Sequence, residues 1–229
     1  MTEDLHYNQI PIDFGFYTKK TFDNFIIGNN EDLYNSLLNL NKSNHLILIY
    51  GNRSSGKTHL CEAVTQSVKS DVIRVNPDTK LQSASLSDFY DLAIIDDIDK
   101  LLENSTNEEI IFTIINNQIL NKKSTLITST KELEISDFKL NDLYSRLISD
   151  KIYSISDLND EDKVSFMISL CSERGLEVPG KVLNYIINNC SRDLYFLCAF
   201  INSLDYASLS TKRRVTIPFI KQAIKNLPS

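Results

Sequence analysis

The chain has 229 residues, of which 42% are hydrophobic and 24% are charged, and its formal net charge at pH 7 is −6. This composition is typical of a soluble globular protein with one large domain, or with a domain plus a small appendage. The negative balance argues against a protein whose main task is to grip duplex DNA, because that task usually requires a basic face. The four cysteines show no C-x-x-C spacing, so we expect free thiols. No apolar run reaches membrane-spanning length and the N-terminus is acidic, so the sequence predicts a cytoplasmic protein without membrane contact.

The first twenty residues show little helical periodicity and are predicted to form an extended tail. Within the tail, the hexapeptide Q-I-P-I-D-F contains one amide and three apolar side chains that are candidates for partner contacts: Gln9, Ile10, Ile12 and Phe14. Pro11 lacks an N–H and favours an extended backbone before it. From the residues alone we favour a tail that folds back on its own domain. The alternative is a peptide that lies in a groove of another protein.

An aromatic and β-branched cluster precedes the first predicted helix, which covers residues 33–40. The cluster includes Phe25 and Ile26. Such a cluster either covers the sheet or contacts an adenine base, and the sequence leaves both alternatives open.

The most informative stretch reads G-N-R-S-S-G-K-T and lies between an apolar predicted strand at 46–50 and a segment of helical composition. Strand, eight-residue loop and helix form the setting that G-x-x-x-x-G-K-[ST] requires. Backbone N–H groups of such a loop converge on an anion, and the helix N-terminus adds partial positive charge. The motif predicts that Lys57 reaches the β- and γ-phosphates and that the hydroxyl of Thr58 holds Mg²⁺. The predicted nucleotide-binding residues are the whole loop: Gly51, Asn52, Arg53, Ser54, Ser55, Gly56, Lys57 and Thr58.

Two carboxylates follow the apolar run L-A-I-I, which is predicted to be a buried strand. In open α/β sheets, ligands bind beyond the C-terminal ends of the strands. We therefore predict that Asp96 holds Mg²⁺, directly or through water, and that Asp97 orients or deprotonates an attacking water. The alternative is a pair of helix-capping residues at the end of a strand.

The remaining pattern completes an α/β domain with a five-stranded parallel sheet, followed by a small all-helical domain. The predicted strands lie at 46–50, 71–76, 92–97, 124–130 and 152–155. Further helices are predicted in the first domain at 107–120 and 140–147, and in the second at 161–174, 179–190, 192–209 and 217–227. The predicted boundaries are a tail at 1–20, a base domain at 21–156 and a helical domain at 157–229.

This order of motifs resembles the AAA+ ATPases with their P-loop base domain and helical lid. Two segments, T-F-D-N-F-I-I-G from Thr21 and I-I-D-D-I from Ile94, are similar to segments of the DnaA/Hda family. The tail hexapeptide and T-I-P-F-I-K from Thr216 are similar to its smaller, Hda-like members. The resemblance covers about residues 9–227, and it implies a Walker A loop at 51–58 with a Walker B pair at 96–97.

The resemblance also implies roles for residues outside the two Walker motifs. Thr130 falls at the sensor 1 position, where the family has Asp, and Arg146 matches the arginine finger. The sensor 2 arginine falls on Tyr195, and Arg192 lies nearly one turn earlier as a candidate substitute. The two Walker motifs imply ATP or ADP with Mg²⁺ as cofactors. Because tyrosine cannot neutralise developing phosphate charge, we expect weak or no ATP hydrolysis by the chain itself.

Hda-like members bind the replicative sliding clamp through an N-terminal peptide and promote hydrolysis of ATP held by DnaA. The resemblance therefore implies a negative regulator of replication initiation, with DnaA and the clamp as partners and a homo-oligomer as a further possibility. In that light, clamp binding becomes the favoured role of the tail hexapeptide. Since no helix-turn-helix domain follows the lid, we expect no sequence-specific DNA binding.

Two alternatives come from other functional classes. One is a self-contained AAA+ ATPase such as a helicase loader or a DnaA-like initiation factor. The other is a pure adaptor that binds clamp and nucleotide and catalyses nothing.

Overall fold

The structure is a computed structural model that describes residues 19–69, 71–81, 90–211 and 214–225. From Lys20 onward the described residues fall into two compact units that divide after Asp157. The first unit is an α/β domain and the second is helical. The tail hexapeptide lies outside the described residues, as does most of the polar stretch between the second and third strands.

Five parallel strands form the sheet of the α/β unit, in the order β2-β3-β4-β1-β5. The strands are β1 (Leu46–Tyr50), β2 (Val72–Val75), β3 (Leu92–Ile95), β4 (Ser124–Ser129) and β5 (Lys151–Ser154). The helices of this unit are α1 (Glu31–Leu38), α2 (Leu40–Ser43), α3 (Lys57–Ser67), α4 (Ile98–Leu101), α5 (Ser105–Leu120) and α6 (Asn141–Leu147).

Helices cover both faces of the sheet, which explains why its inner strands read as uninterrupted apolar runs. Alternate residues of β1 enter two different cores. Leu46 and Leu48 belong to the core that contains α5 and α6, whereas Ile47 and Ile49 belong to the core that contains α1 and α3. Both cores are anchored on the same strand, so the loop that follows β1 is held at a fixed place beyond the end of the sheet.

The helical unit consists of α7 (Asp160–Glu173), α8 (Gly180–Asn189), α9 (Leu194–Thr211) and α10 (Ile217–Lys225). Its own core includes Met167 of α7, Ile186 of α8 and Ile201 of α9, all fully buried. Asn159 caps α7, because its side chain accepts a hydrogen bond from the N–H of Asp162.

The predicted fold class is confirmed: a five-stranded parallel sheet with flanking helices, followed by a helical domain. Differences lie at the ends of elements and in two short helices, α2 and α4, that the sequence did not predict. The helix predicted from residue 107 begins at Ser105, because Asn104 accepts a hydrogen bond from the N–H of Thr106 and caps it. Within the described ranges, no helix combines the length and apolar character that crossing a bilayer requires.

Candidate nucleotide site

The loop between β1 and α3 requires both of its glycines. Gly56 has a φ of 101°, a conformation that L residues with a side chain rarely adopt, and a Cβ there would lie 3.0 Å from the ring of Phe25. A Cβ on Gly51 would lie 2.5 Å from the side chain of Ile155. The first glycine is therefore fixed by close packing and the second by backbone conformation. α3 then begins without a side-chain cap, which leaves its first N–H groups and its dipole to attract an anion.

Lys57 is buried at the start of α3 and is held by the loop itself. Its Nζ donates to the carbonyl oxygens of Gly51 and Asn52, each at 2.7 Å, and lies 3.5 Å from Oγ of Ser55. Burial lowers its pKa, an effect that the carboxylates of Asp97, Asp99 and Asp96 oppose. An ammonium group has three donors, and the two carbonyls use two of them. The arrangement fixes the cation, and its long third contact, to Ser55, is the one that a phosphate oxygen can replace.

The other loop residues contribute by position. Asn52 donates to the carboxylate of Asp157 at 2.9 Å, Ser54 has a positive φ of 64°, and the side chain of Arg53 is exposed. Thr58 is exposed and lines a cleft of about 570 Å³ together with Asp96 and Asp97.

Asp96 and Asp97 follow β3, and their side chains have different partners. Asp96 is buried, and its Oδ1 accepts from Oγ1 of Thr128 at 2.6 Å and from the thiol of Cys61 at 3.7 Å. Asp97 has a φ of 53°, donates its N–H to the same Thr128 oxygen at 2.9 Å and forms an ion pair with Lys100. Thr128 thus fixes both residues, as an acceptor for one and a donor to the other.

The donors around this cleft fit Mg²⁺. The cation prefers oxygen ligands, and the hydroxyl of Thr58 lines the same cleft as four carboxylates, those of Glu62, Asp78, Asp96 and Asp97. Within the described ranges, no group of three or more His, Cys, Asp or Glu residues is arranged to hold a metal by itself. Mg²⁺ usually binds through one or two protein oxygens plus phosphate oxygens and water.

Phe25 packs against the nucleotide loop as well as against the core. Its ring stacks on Tyr34 with centroids 6.2 Å apart and meets the ring of His59 edge-on at 5.3 Å. Phe25 and Ile26 are both half-buried, so each keeps surface for a further contact. Contact of these two residues with an adenine base stays a prediction.

A second arrangement of interest centres on Arg146 of α6. Its guanidinium lies over the ring of Phe112 at 5.7 Å from the centroid, and its Nε is buried without a hydrogen-bond partner. Among the described residues, no carboxylate forms an ion pair with it. One turn before Phe112 on α5, the buried carboxylate of Glu108 accepts from the N–H groups of Lys139 and Leu140 at 2.9 and 2.8 Å. α5 therefore holds both the start of α6 and the side chain of Arg146.

Two family models match the chain. The model described as the bacterial DnaA ATPase domain matches residues 16–151, which are more than half of the chain. The chain belongs to the DnaA/Hda family of AAA+ proteins. A second model, described as the lid domain of Hda, matches residues 160–224 and extends the assignment over the helical unit. The family predicted from the motifs is therefore confirmed.

Individual relatives agree with this assignment. An uncharacterized protein of Haemophilus influenzae is 30% identical over 227 residues, which span 94% of this chain and 98% of the relative. Domain III of DnaA from Thermotoga maritima has a TM-score of 0.81 at 22% identity, over 91% of this chain and 96% of that one. AMPPCP-bound DnaA from Aquifex aeolicus has a TM-score of 0.69 at 23% identity, over 83% of this chain and 66% of that one. At such identities the structural likeness shows the fold alone.

Three further residues were predicted from the DnaA/Hda resemblance, and each has different contacts. Thr130, predicted for the sensor 1 position, donates its hydroxyl and its N–H to the carboxylate of Asp99, the latter at 2.9 Å. In the helical unit, Arg192 pairs with Asp160 at 2.9 Å, and Tyr195 is 68% exposed on α9. Contact of Thr130, Arg192 or Tyr195 with the nucleotide stays a prediction.

Sequence reasoning missed several residues that shape the site: Arg74, Asp99, Glu108, Phe112 and Thr128. Each acts through a partner about 12 to 34 positions away in sequence that only the tertiary fold brings close. The register of β3 with β4 pairs Ile95 with Ile127, which places Thr128 next to Asp96. A hydroxyl in a buried strand carries no local signal for such a role.

Proposed function

We propose that this protein is an Hda-like negative regulator of replication initiation: it binds ATP or ADP with Mg²⁺ in its own P-loop and promotes hydrolysis of ATP bound by DnaA. Membership of the DnaA/Hda family and the match of its helical unit to the Hda lid support this proposal. The observation that carries it is Arg146, a half-buried cation that is positioned by α5 but has no ion-pair partner among the described residues.

The chemistry that Arg146 would supply is charge stabilisation. In phosphoryl transfer, negative charge spreads over the γ-phosphoryl oxygens and the leaving group, and a guanidinium supplied by a neighbouring subunit contributes about 10³ to 10⁵ in rate. Such a group must be positioned before the partner arrives. A guanidinium already neutralised by a carboxylate would have to break that pair first. Arg146 lies on an aromatic ring instead, which leaves its terminal N–H groups for a phosphate.

The chain's own nucleotide would have a different role. Lys57 and the loop N–H groups would bind the phosphates, while Thr58 and Asp96 would hold Mg²⁺, which neutralises phosphate charge when bound. Asp97, the candidate for activating water, pairs with Lys100, and Thr130 is bonded to Asp99. Both contacts favour a chain that retains nucleotide and hydrolyses it weakly or not at all.

The sliding clamp is the second proposed partner, through the tail residues Gln9, Ile10, Ile12 and Phe14. An amide followed by apolar side chains, with a proline that favours an extended backbone, suits a groove that offers hydrogen bonds and apolar pockets. Clamp binding would raise the local concentration of this protein near newly replicated DNA, and a tether of this kind increases encounter with DnaA without any new contact.

The test is phosphate release from ATP-bound DnaA mixed with the purified protein and clamp loaded on DNA. We expect hydrolysis that depends on the added protein and that falls to the level of DnaA alone with Arg146→Ala. Lys139→Ala is the matched control, since it removes an exposed cation two residues before α6. Normal stimulation by Arg146→Ala would refute the arginine-finger role.

A self-contained ATPase is the second candidate, favoured by the intact arrangement of Lys57, Asp96 and Asp97. It would release phosphate from ATP without DnaA, and Lys57→Ala would abolish that release. A pure adaptor would instead keep its activity with Arg146→Ala and lose it when Gln9 and Phe14 are replaced.

A further inference from the structure

Arg74 of β2 is a cation beside the candidate metal site that the nucleotide motifs do not account for. Its guanidinium lies between two carboxylates, with one nitrogen 3.5 Å from Oδ2 of Asp96 and another 3.6 Å from Oε1 of Glu62 on α3. Its Nε is buried and has no hydrogen-bond partner. The same side chain lines the cleft that contains Thr58.

The two oxygens of Asp96 are not equivalent. Oδ1 accepts from Thr128 at 2.6 Å and from Cys61 at 3.7 Å, and burial together with the nearby Asp96 keeps that thiol protonated by raising its pKa well above the ordinary value. Oδ2 is the oxygen left for a cation in the cleft, and it is the one that pairs with Arg74.

We propose that Arg74 competes with Mg²⁺ for Oδ2 of Asp96 and shifts onto Glu62 when the metal binds, an inference which rests on the nucleotide site proposed above. Two cations at one carboxylate oxygen repel each other strongly at the dielectric of a partly buried site. Glu62 offers the guanidinium a second carboxylate within a short movement. It is shared with Lys20, which lies 3.5 Å away.

The consequence is a nucleotide site whose affinity depends only weakly on the divalent cation. In free energy terms, binding of Mg²⁺ and binding of nucleotide are coupled, and the coupling is measured by the ratio of nucleotide affinities with and without the metal. Arg74 lowers that coupling because the free energy gained when Mg²⁺ binds Asp96 is partly offset by the loss of the Arg74–Asp96 ion pair.

The experiment is titration of the full chain with ADP by calorimetry, in Mg²⁺ and in EDTA. We expect the affinity ratio to rise about tenfold or more with Arg74→Gln, because the competitor is gone. We expect it to fall below the wild-type ratio with Glu62→Gln, because Arg74 then keeps Asp96 as its main carboxylate. Lys151→Gln, which removes a cation from the edge strand β5 at the other side of the sheet, should leave the ratio unchanged.

Equal ratios in wild type and Arg74→Gln would overturn the inference while leaving the proposed nucleotide site intact. A rise with Glu62→Gln would overturn it as well. If thermal melting shows that Arg74→Gln does not fold, Glu62→Gln still tests the inference, because the ratio of ADP affinities is expected to fall in that variant. Failure of the wild type to bind ADP in either buffer would overturn the proposed nucleotide site and this inference together.

Discussion

The two regions differ in how their charged side chains are paired. The first is the end of the sheet that carries the nucleotide motifs, and the second is the region around α6. At the nucleotide end, Lys57 bonds to loop carbonyls, Asp96 pairs with Arg74, and Asp97 pairs with Lys100. At α6, Arg146 lies on an aromatic ring and has no carboxylate partner among the described residues. The first arrangement suits a site that holds its own ligand, and the second suits a cation offered to another molecule.

The largest expected effect separates the two regions directly. Lys57→Ala removes the buried cation at the loop, and we expect the dissociation constant for ADP to rise about 100-fold or more, since a charge-assisted phosphate contact is lost. Calorimetric titration with ADP measures this. Arg146→Ala should leave the same constant unchanged. A comparable loss of ADP affinity in both variants would show that the two regions are one site.

Glu108 tests whether α5 positions the region of Arg146. Glu108→Ala leaves two N–H groups unpaired before α6, and we expect a loss of about 2 kcal/mol in the free energy of unfolding and a lower rate of phosphate release from ATP-bound DnaA. Glu108→Gln keeps an acceptor oxygen and should recover most of both losses. Chemical denaturation and the phosphate assay measure them.

The neighbouring Glu109 is the control for that pair of variants, because it is exposed on the same helix. Glu109→Ala should change neither quantity. A loss of stability in Glu108→Ala with full stimulation by the folded protein would assign Glu108 a structural role only.

Phe112 has a smaller expected effect. Phe112→Leu keeps most of the packing but removes the aromatic face below Arg146, and a cation–π contact of this kind contributes about 0.5 to 1 kcal/mol. We therefore expect stimulation of DnaA to fall about two- to fivefold with ADP binding unchanged. Phe112→Tyr retains the aromatic face and should behave as wild type. Equal stimulation by Phe112→Leu and wild type would show that the ring of Phe112 does not help to position Arg146.

The last expected effect concerns the thiol at the nucleotide end. Burial, followed by the charge of Asp96, raises the pKa of Cys61 above its ordinary value of 9.0, so the folded chain keeps a proton that the unfolded chain loses. The contribution is fully present below pH 9, and the free energy of unfolding should fall as pH rises above it, by at most about 1.4 kcal/mol per pH unit for one thiol. In chemical denaturation between pH 9 and 10.5, the free energy of unfolding of Cys61→Ala should fall less steeply with pH than that of wild type. An unchanged slope would contradict the assignment.

The sequence by itself determined the five strands, the longer helices and the loop. Strands and helices follow from local periodicity, and the spacing of Gly51, Gly56 and Lys57 predicts a turn that only glycine permits at those points, because backbone conformation and packing exclude a Cβ. The paired carboxylates after β3 also have a local signature, an apolar run closed by two acids.

Only the tertiary structure decided which groups meet at those elements. The strand order brings Thr128 to Asp96 and Thr130 to Asp99 across separations of about 31 to 32 residues, and it places Arg74 beside the candidate metal site. Parallel strands are joined by long crossovers, so the residue facing a given side chain depends on register and strand order. Local sequence patterns report the direction of a side chain within its element but not the partner that lies opposite it.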